Sequence, residues 1–203
     1  METLVYDIGK SRYINLTDRC SLRCRFCPKF NREIRNNLIV KGHNLTLKEQ
    51  PTERNVIKQL GNISEVTEVV FCGLGESTQR LSELISLIKH IKTFDVSVRL
   101  NTDGLGSLIH KGNISWKLAN AGLDAISISL NAHNEALYNL HCRPIHENSF
   151  YAVLDFIEEA VTYIPKVTVT AIKGLAHVDI NVCERLAIQR GALFRERLLD
   201  NVG

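Results

Sequence analysis

Three thiols within eight residues constrain this chain more than any other feature. The stretch Cys20-Ser21-Leu22-Arg23-Cys24-Arg25-Phe26-Cys27 spaces them C-x3-C-x2-C, with an aromatic residue just before the last. Three sulfurs so placed meet in one small volume only if the backbone folds around a shared metal or cluster. The number is informative. A structural zinc site takes four protein ligands in a closed tetrahedron, and ferredoxin-type [4Fe-4S] binding takes four thiolates. Three thiolates on a four-iron cluster leave one iron open to something else. The alternative is a fragment of a zinc ribbon completed by Cys72, Cys142 or His141. Disulfides are not expected. The chain begins without an apolar signal segment and holds three of its six cysteines in this stretch, which reads as a reduced, cytoplasmic protein.

At 203 residues and 44% hydrophobic, the sequence is long enough for one domain with a sizeable core and short for two. No apolar run approaches the ~18 residues of a membrane span. The net charge of +3 is unevenly placed: Arg12, Arg19, Arg23, Arg25, Lys29, Arg32 and Arg35 face only Asp18 and Glu33 in the segment that holds the thiols. Such a segment is either a solvated loop with counter-charge for thiolates, or a surface that meets an anionic substrate or nucleic-acid phosphate. It lacks the interleaved aromatics of a base-stacking surface, so nucleic-acid binding stays open.

Along the chain, Leu4–Asp7 and Tyr13–Thr17 are β-prone runs around Gly9-Lys10-Ser11, the second leading into the cysteine loop of residues 18–30. Residues 28–46 lack periodicity and read as a long, flexible loop. A helix is expected from Pro51 to Leu60, then a strand over Glu68–Cys72 and an amphipathic helix over 80–93. A strand over Val96–Leu100, a helix over Ile114–Ala121 stopped by Gly122 and a strand over Ala125–Leu130 follow. A helix over 150–164, a strand over Val167–Ile172, a helix over 178–190 and a strand over Leu193–Leu199 complete the pattern. The ~30-residue recurrence from Val69 to Val96 to Ala125 is the size of a βαβ unit, so the sheet is expected to be parallel with right-handed crossovers. Six such units are too few for the eight-stranded barrel, which needs ~250 residues.

Chemistry in parallel α/β folds sits at the C-terminal ends of strands, and those ends carry candidates. Cys72-Gly73-Leu74-Gly75-Glu76 places two glycines and a carboxylate where backbone can approach a ligand and an ammonium group can be accepted. Asn101-Thr102-Asp103-Gly104 closes the third strand, although the same residues make an ordinary turn. Ser129 and Asn131 leave the fourth strand on one side. Lys173-Gly174 follows the fifth, and Arg195 and Arg197 share one face of the last. Cys72 and Cys183 read as core residues. Cys142 falls in an expected loop, His141-Cys142-Arg143-Pro144, where a thiol can be reactive.

Together these motifs resemble the radical SAM superfamily, whose CxxxCx(aromatic)C motif is matched at Cys20, Cys24, Phe26 and Cys27. Gly73, Gly75 and Glu76 match its "GGE" segment, with Leu74 between the glycines and Ser77 where a proline often follows. The resemblance implies an α/β fold, a partial (open) six-stranded parallel β/α barrel as a single core domain over residues 1–203. It implies a [4Fe-4S] cluster on the three cysteines and S-adenosylmethionine on the open iron, its amino group at Gly73, Gly75 and Glu76. Asn101, Asp103, Ser129 and Asn131 are then expected near its carboxylate and ribose, and Phe26 near cluster and adenine. The implied reaction is one-electron cleavage of S-adenosylmethionine to a 5′-deoxyadenosyl radical that abstracts a substrate hydrogen, fed by a low-potential flavodoxin- or ferredoxin-type donor. The phrases YINLTDRCSLRCRFC, VVFCGLGEST, VRLNTDGLG, ISISLNA, YNLHCRP and FRERLL look most like the small group found alongside TatD-type hydrolases. The substrate class stays open between a nucleotide-like small molecule, as for 7-carboxy-7-deazaguanine synthase, and a protein or nucleic-acid residue, as for glycyl-radical activases. A zinc- or cluster-binding interaction module without turnover is the alternative from another class.

Overall fold

The computed structural model of the chain describes residues 2–30 and 38–199. The chain opens with a hairpin, β1 (Val5–Ile8) antiparallel to β2 (Ser11–Ile14), turned at Gly9 with φ 61°. A two-stranded ribbon, β3 (Ile39–Val40) and β4 (His43–Asn44), follows the cysteine loop. Thereafter α1 (Glu53–Leu60), β5 (Glu68–Phe71), α2 (Leu81–Ile91), β6 (Ser97–Thr102), α3 (Gly106–His110), α4 (Ile114–Ala121) and β7 (Ala125–Ser129) alternate. The chain closes with α5 (Glu135–Cys142), α6 (Ser149–Tyr163), β8 (Lys166–Lys173), α7 (Ile180–Gln189) and β9 (Leu193–Leu198).

Seven strands form one sheet in the order β1-β2-β5-β6-β7-β8-β9, parallel from β2 onward. The sheet is therefore mostly parallel, as expected, with one antiparallel strand added at its edge. That strand is possible because a tight hairpin reverses the chain after β1, whereas parallel neighbours need a crossover helix. Several expected boundaries move. The first helix starts at Glu53, not Pro51, because the Thr52 side chain accepts from Asn55 N and caps it there. Of the loop expected over 28–46, residues 31–37, with Arg32, Glu33 and Arg35, lie outside the described residues. Beyond them the segment is the β3–β4 ribbon rather than loop throughout. The expected loop around Cys142 is the end of α5. Asn134 caps that helix by accepting from Leu137 N, and Arg143 ends it at φ 48° with Pro144 next.

Alternation along the strands separates two faces. Ile14, Phe71, Leu100 and Ile126 lie side by side in register, and with Val69, Val98, Ile128 and Val169 they are at most 1% exposed. Against this face the helices lie in a row, α1 beside α2, α2 beside α4 and α4 beside α6. The opposite face carries Asn101 level with Ser127, and Ser129 level with Thr170 and Arg195. Residues of this face from both terminal strands, Tyr6 and Ile8 of β1 and Arg195 and Arg197 of β9, line a single cavity of about 370 Å³. A flat sheet of seven strands spaced ~4.8 Å apart would hold its edge strands roughly 29 Å apart. The sheet therefore curls around the cavity, and with β1 and β9 unpaired to each other it stays open.

Candidate active site

The cysteine loop leaves the C-terminal end of β2 and is pinned from two sides. Arg23 N donates to the carbonyls of Cys142 and Arg143, Arg25 N to that of His141, and Ile145 N to that of Ser21. The end of α5 is thus a backbone splint for the loop. His141 is fixed in turn, its ring Nε2 donating to the Ala176 carbonyl. On the other side Glu76 N donates to the Arg19 carbonyl at 2.7 Å. A Cβ on Gly75 would sit 2.5 Å from the Thr17 and Arg19 carbonyl oxygens, and one on Gly73 2.1 Å from Asn15 Oδ1. Both glycines are thus required where the turn after β5 meets the backbone that leaves β2. Asn15, fully buried, completes this junction by donating to the Leu45 carbonyl and accepting from Leu74 N.

Glu76 is 3% exposed and already accepts four hydrogen bonds, three of them on one oxygen. Its Oε1 accepts from Thr78 N, Thr78 Oγ1 and Thr102 Oγ1, and its Oε2 from Asp103 N at 2.6 Å. Four donors around one buried carboxylate fix its direction. Asp103 lies next to it, with Oδ1 accepting from Leu105 N and Oδ2 3.9 Å from Cys20 Sγ. Burial and then the charge of Glu76 push the Asp103 carboxyl well above the usual carboxylate range. Burial raises the Cys20 and Cys27 thiols, and a hydrogen bond with Cys142, then burial, raises Cys24. Without metal these thiols hold their protons, and metal binding must release them.

One cavity is lined by Cys20, Cys24, Phe26 and Cys27 from the loop, by Gly73, Gly75 and Glu76, by Asn101 and Asp103, and by Ser129 and Asn131, whereas Lys173 and Gly174 are not part of its lining and Lys173 pairs with Glu196 instead. Asn131, at φ 57°, buries its Oδ1 with no hydrogen-bond partner among the described residues, an acceptor left for something in the cavity. Among the described residues no three His, Cys, Asp or Glu side chains converge on a point that would hold a single metal ion. His141 and Cys142, considered as zinc ligands from the sequence, instead support the loop.

Sequence reasoning missed several members. Cys72, expected in the core, lines the cavity, as do Tyr6, Tyr13, Lys41 and Thr170. Tyr6 donates to the Cys72 carbonyl and stacks on Tyr13 with ring centroids 5.3 Å apart. The segregated basic segment does not act as a unit. Arg12 lies away from the cavity, paired with Asp7 and bonded to the Leu60 and Asn62 carbonyls, and Lys29 pairs with Asp18.

The model of the Radical SAM superfamily matches residues 14–185. The dual-specificity RNA methyltransferase RlmN of Buchnera aphidicola subsp. Schizaphis graminum is 31% identical over 155 residues, 71% of this chain and 38% of that protein. The GTP 3′,8-cyclase of Corynebacterium glutamicum strain R is 27% identical over 197 residues, 93% of this chain and 48% of that protein. Among solved structures, Streptococcus suis SuiB bound to its precursor peptide SuiA superposes with a TM-score of 0.70 at 15% identity, over 97% of this chain and 40% of that one. The chain thus spans between about two fifths and half of these relatives. Members of the matched family use a [4Fe-4S] cluster and S-adenosylmethionine. With its three cysteines, its glycine-glutamate turn and a family match from Ile14 to Arg185, the chain belongs to the radical SAM superfamily.

Proposed function

We propose that the chain is the core of a radical SAM enzyme, in which Cys20, Cys24 and Cys27 hold a [4Fe-4S] cluster and the cavity takes S-adenosylmethionine. The observation that carries this reading is that three thiols, a fixed buried carboxylate and an unpartnered amide oxygen line one cavity. Its ~370 Å³ lies within the range of small-molecule sites. Held there by Cys20, Cys24 and Cys27, the cluster would supply one-electron reduction of S-adenosylmethionine and, through its cleavage to methionine, the 5′-deoxyadenosyl radical used for hydrogen abstraction from the substrate. The chain's own part is positioning and exclusion of water. Glu76, aimed by Thr78, Thr102 and Asp103, accepts from the ammonium group of the methionine moiety. Asn131 and Ser129 would offer acceptors to ribose hydroxyls, with Asn101, whose Oδ1 also accepts from Arg99 Nη1, beside them, and Phe26 would lie near the cluster and the adenine.

The curled open sheet is read as the partial six-stranded barrel with one antiparallel strand added, and residues 1–203 as one such core, supported by a main apolar cluster that runs from Leu4 to Ala192. The likeness to the TatD-associated group rests on the sequence phrases alone, and with it the suggested link to a TatD-type hydrolase; the proposed cytoplasmic setting rests on the clustered, unpaired cysteines, and no helix among the described residues is long and apolar enough to cross a membrane. A flavodoxin- or ferredoxin-type protein is the proposed electron source. The substrate is a nucleotide-like small molecule, or a protein or nucleic-acid residue.

The test is anaerobic reconstitution with iron and sulfide, reduction with dithionite, and electron paramagnetic resonance with and without S-adenosylmethionine. The expected result is a [4Fe-4S]+ signal that changes on adding S-adenosylmethionine, with 5′-deoxyadenosine formed by the wild type and absent in Cys24→Ala. Stable zinc in place of iron, or a cluster indifferent to S-adenosylmethionine, overturns the enzyme reading in favour of a binding module.

A further inference from the structure

The structure assigns Tyr138 and Cys142, on one face of α5, as a buried pair of hydrogen-bond donors behind the cluster ligand Cys24, where they set the reduction potential of the bound cluster. The inference rests on the proposed function for the cluster itself. It adds a role for two side chains that neither belong to the ligand set nor line the cavity.

Helix geometry and the cysteine loop together bring the pair to Cys24. Tyr138 and Cys142 stand four residues apart in α5 and so share a face, and both are fully buried. The end of the same helix holds the loop by its backbone: Arg23 N donates to the Cys142 carbonyl at 3.0 Å and Arg25 N to the His141 carbonyl at 2.9 Å. Those two donors flank Cys24, and Leu22 forms a bridge to Pro144. Cys24 is thereby fixed against the end of α5, and it joins Leu22, Tyr138 and Cys142 in one apolar cluster.

The hydrogen bonds of this group are incomplete without a ligand. Cys24 shares a hydrogen bond with Cys142. On iron the Cys24 sulfur has lost its proton and can only accept, so the bond survives with the Cys142 thiol as donor. The Tyr138 hydroxyl has no hydrogen-bond partner among the described residues. Its ring packs on Phe150 with centroids 5.9 Å apart, a contact that phenylalanine would make as well, without a buried and unpaired hydroxyl. The ionisable groups whose charge reaches that hydroxyl are Cys142, Asp103, Cys24 and Cys20. Two of these are cluster ligands, so the hydroxyl stands on the side where the negative charge of the cluster resides.

Donors in this place act on the electron affinity of the cluster. Reduction adds one electron and makes or breaks no bond, and the added charge spreads onto the sulfurs. A donor to sulfur stabilises the reduced cluster more than the oxidised one and raises its potential. Burial among apolar side chains strengthens each donor, because the surrounding dielectric is low.

The test is a redox titration of the reconstituted full chain without S-adenosylmethionine, poised with titanium(III) citrate and read by electron paramagnetic resonance of the reduced cluster. At the wild-type midpoint the reduced-to-oxidised ratio should fall about three- to tenfold in Tyr138→Phe and in Cys142→Ala, a shift of up to about 59 mV toward lower potential. Cys142→Ser keeps a donor and should stay closer to wild type than Cys142→Ala does. Iron and sulfide content checks that the variants are equally loaded; should Cys142→Ala lose the cluster, Tyr138→Phe, which keeps the ring on Phe150, decides. An unchanged potential in Tyr138→Phe or in loaded Cys142→Ala overturns the inference. So does a Cys142→Ser potential as low as that of Cys142→Ala, which would assign the effect to packing. A wild type that holds no [4Fe-4S] cluster overturns the proposed function as well, whereas a loaded cluster indifferent to both side chains overturns this inference alone.

Discussion

The same strands present two unlike surfaces. On the helix side, Ile14, Phe71, Leu100 and Ile126 run across four strands with essentially no exposure. On the cavity side, the alternate positions of those strands and their neighbours hold Arg99, Asn101, Ser127, Ser129, Thr170 and Arg195. Burial of apolar area stabilises the first surface at roughly 25 cal/mol per Å². Polar groups gain little by burial without partners, so the second surface contributes modestly to folding and is retained for what it binds. A strand here is thus a structural element on one side and a row of ligand contacts on the other.

Leu100→Ala should show the difference at its largest. Leu100 is fully buried among helix-side residues, and its truncation is expected to cost about 3 kcal/mol, from lost transfer energy and the cavity left behind. Urea unfolding reads this directly. A cost under about 1 kcal/mol would mean that the helix layer collapses into the gap and that the two faces are less distinct than their burial suggests.

Glu76 crosses the division, and Glu76→Gln measures by how much. A carboxamide has one acceptor oxygen, while the Glu76 site offers backbone donors at both ends, Thr78 N and Asp103 N. One of them must then face an NH2 group, at a cost of about 1–3 kcal/mol. The variant should therefore lose both stability, seen in urea unfolding, and S-adenosylmethionine affinity. Loss of affinity with unchanged stability would return Glu76 wholly to the binding surface.

This double use explains what the sequence displayed and what it hid. The alternation in Ser97-Val98-Arg99-Leu100-Asn101 and Ala125-Ile126-Ser127-Ile128-Ser129 is visible on the page, and with the glycine turns it yields the strands and their order in the chain. The three cysteines are legible for the same reason, since their spacing is local. The partners of the cysteine loop are not. Cys142 meets Cys24 across 118 positions, and the helix that carries it has only eight residues. Its cap at Asn134 and the proline after Arg143 were the available signals. Gly75 was legible as a glycine near a ligand, but its tightest constraint is the backbone of Thr17 and Arg19, a distance set by tertiary packing. Arg195 and Arg197 could be placed on a common face from sequence, but which face turned inward depended on the curl of the whole sheet.

Ser129→Ala is the smaller counterpart to Leu100→Ala. Ser129 is half-buried on the cavity face and makes no side-chain hydrogen bond among the described residues, so its removal should change the unfolding free energy by less than about 0.5 kcal/mol. S-adenosylmethionine binding, read by calorimetry on the reconstituted chain, should weaken several-fold. A stability loss comparable to that of Leu100→Ala would break the comparison, because the cavity face would then be part of the core.

The smallest effect expected belongs to the helix side and concerns acid. Hydrogen bonds from Ser82 and then Arg80 hold the Glu83 carboxyl down at about 2 from its ordinary 4.5. Because the folded value is depressed, the stabilisation is present above pH 4.5 and is lost as pH falls toward 2. Glu83 is partly exposed, its side chain 29% accessible, and screening by solvent limits the pair to about 0.5 kcal/mol. Its consequence is nevertheless directed, since Arg80 Nη1 donates to the carbonyls of Leu16 and Pro51 and so ties the start of α2 to the chain that leaves β2 for the cysteine loop. Unfolding of the metal-free chain should show Glu83→Gln weaker than wild type at pH 6 and equal to it near pH 2. A difference that persists at pH 2 would assign the contribution to packing of Arg80 rather than to charge, leaving the link between helix layer and cysteine loop independent of pH.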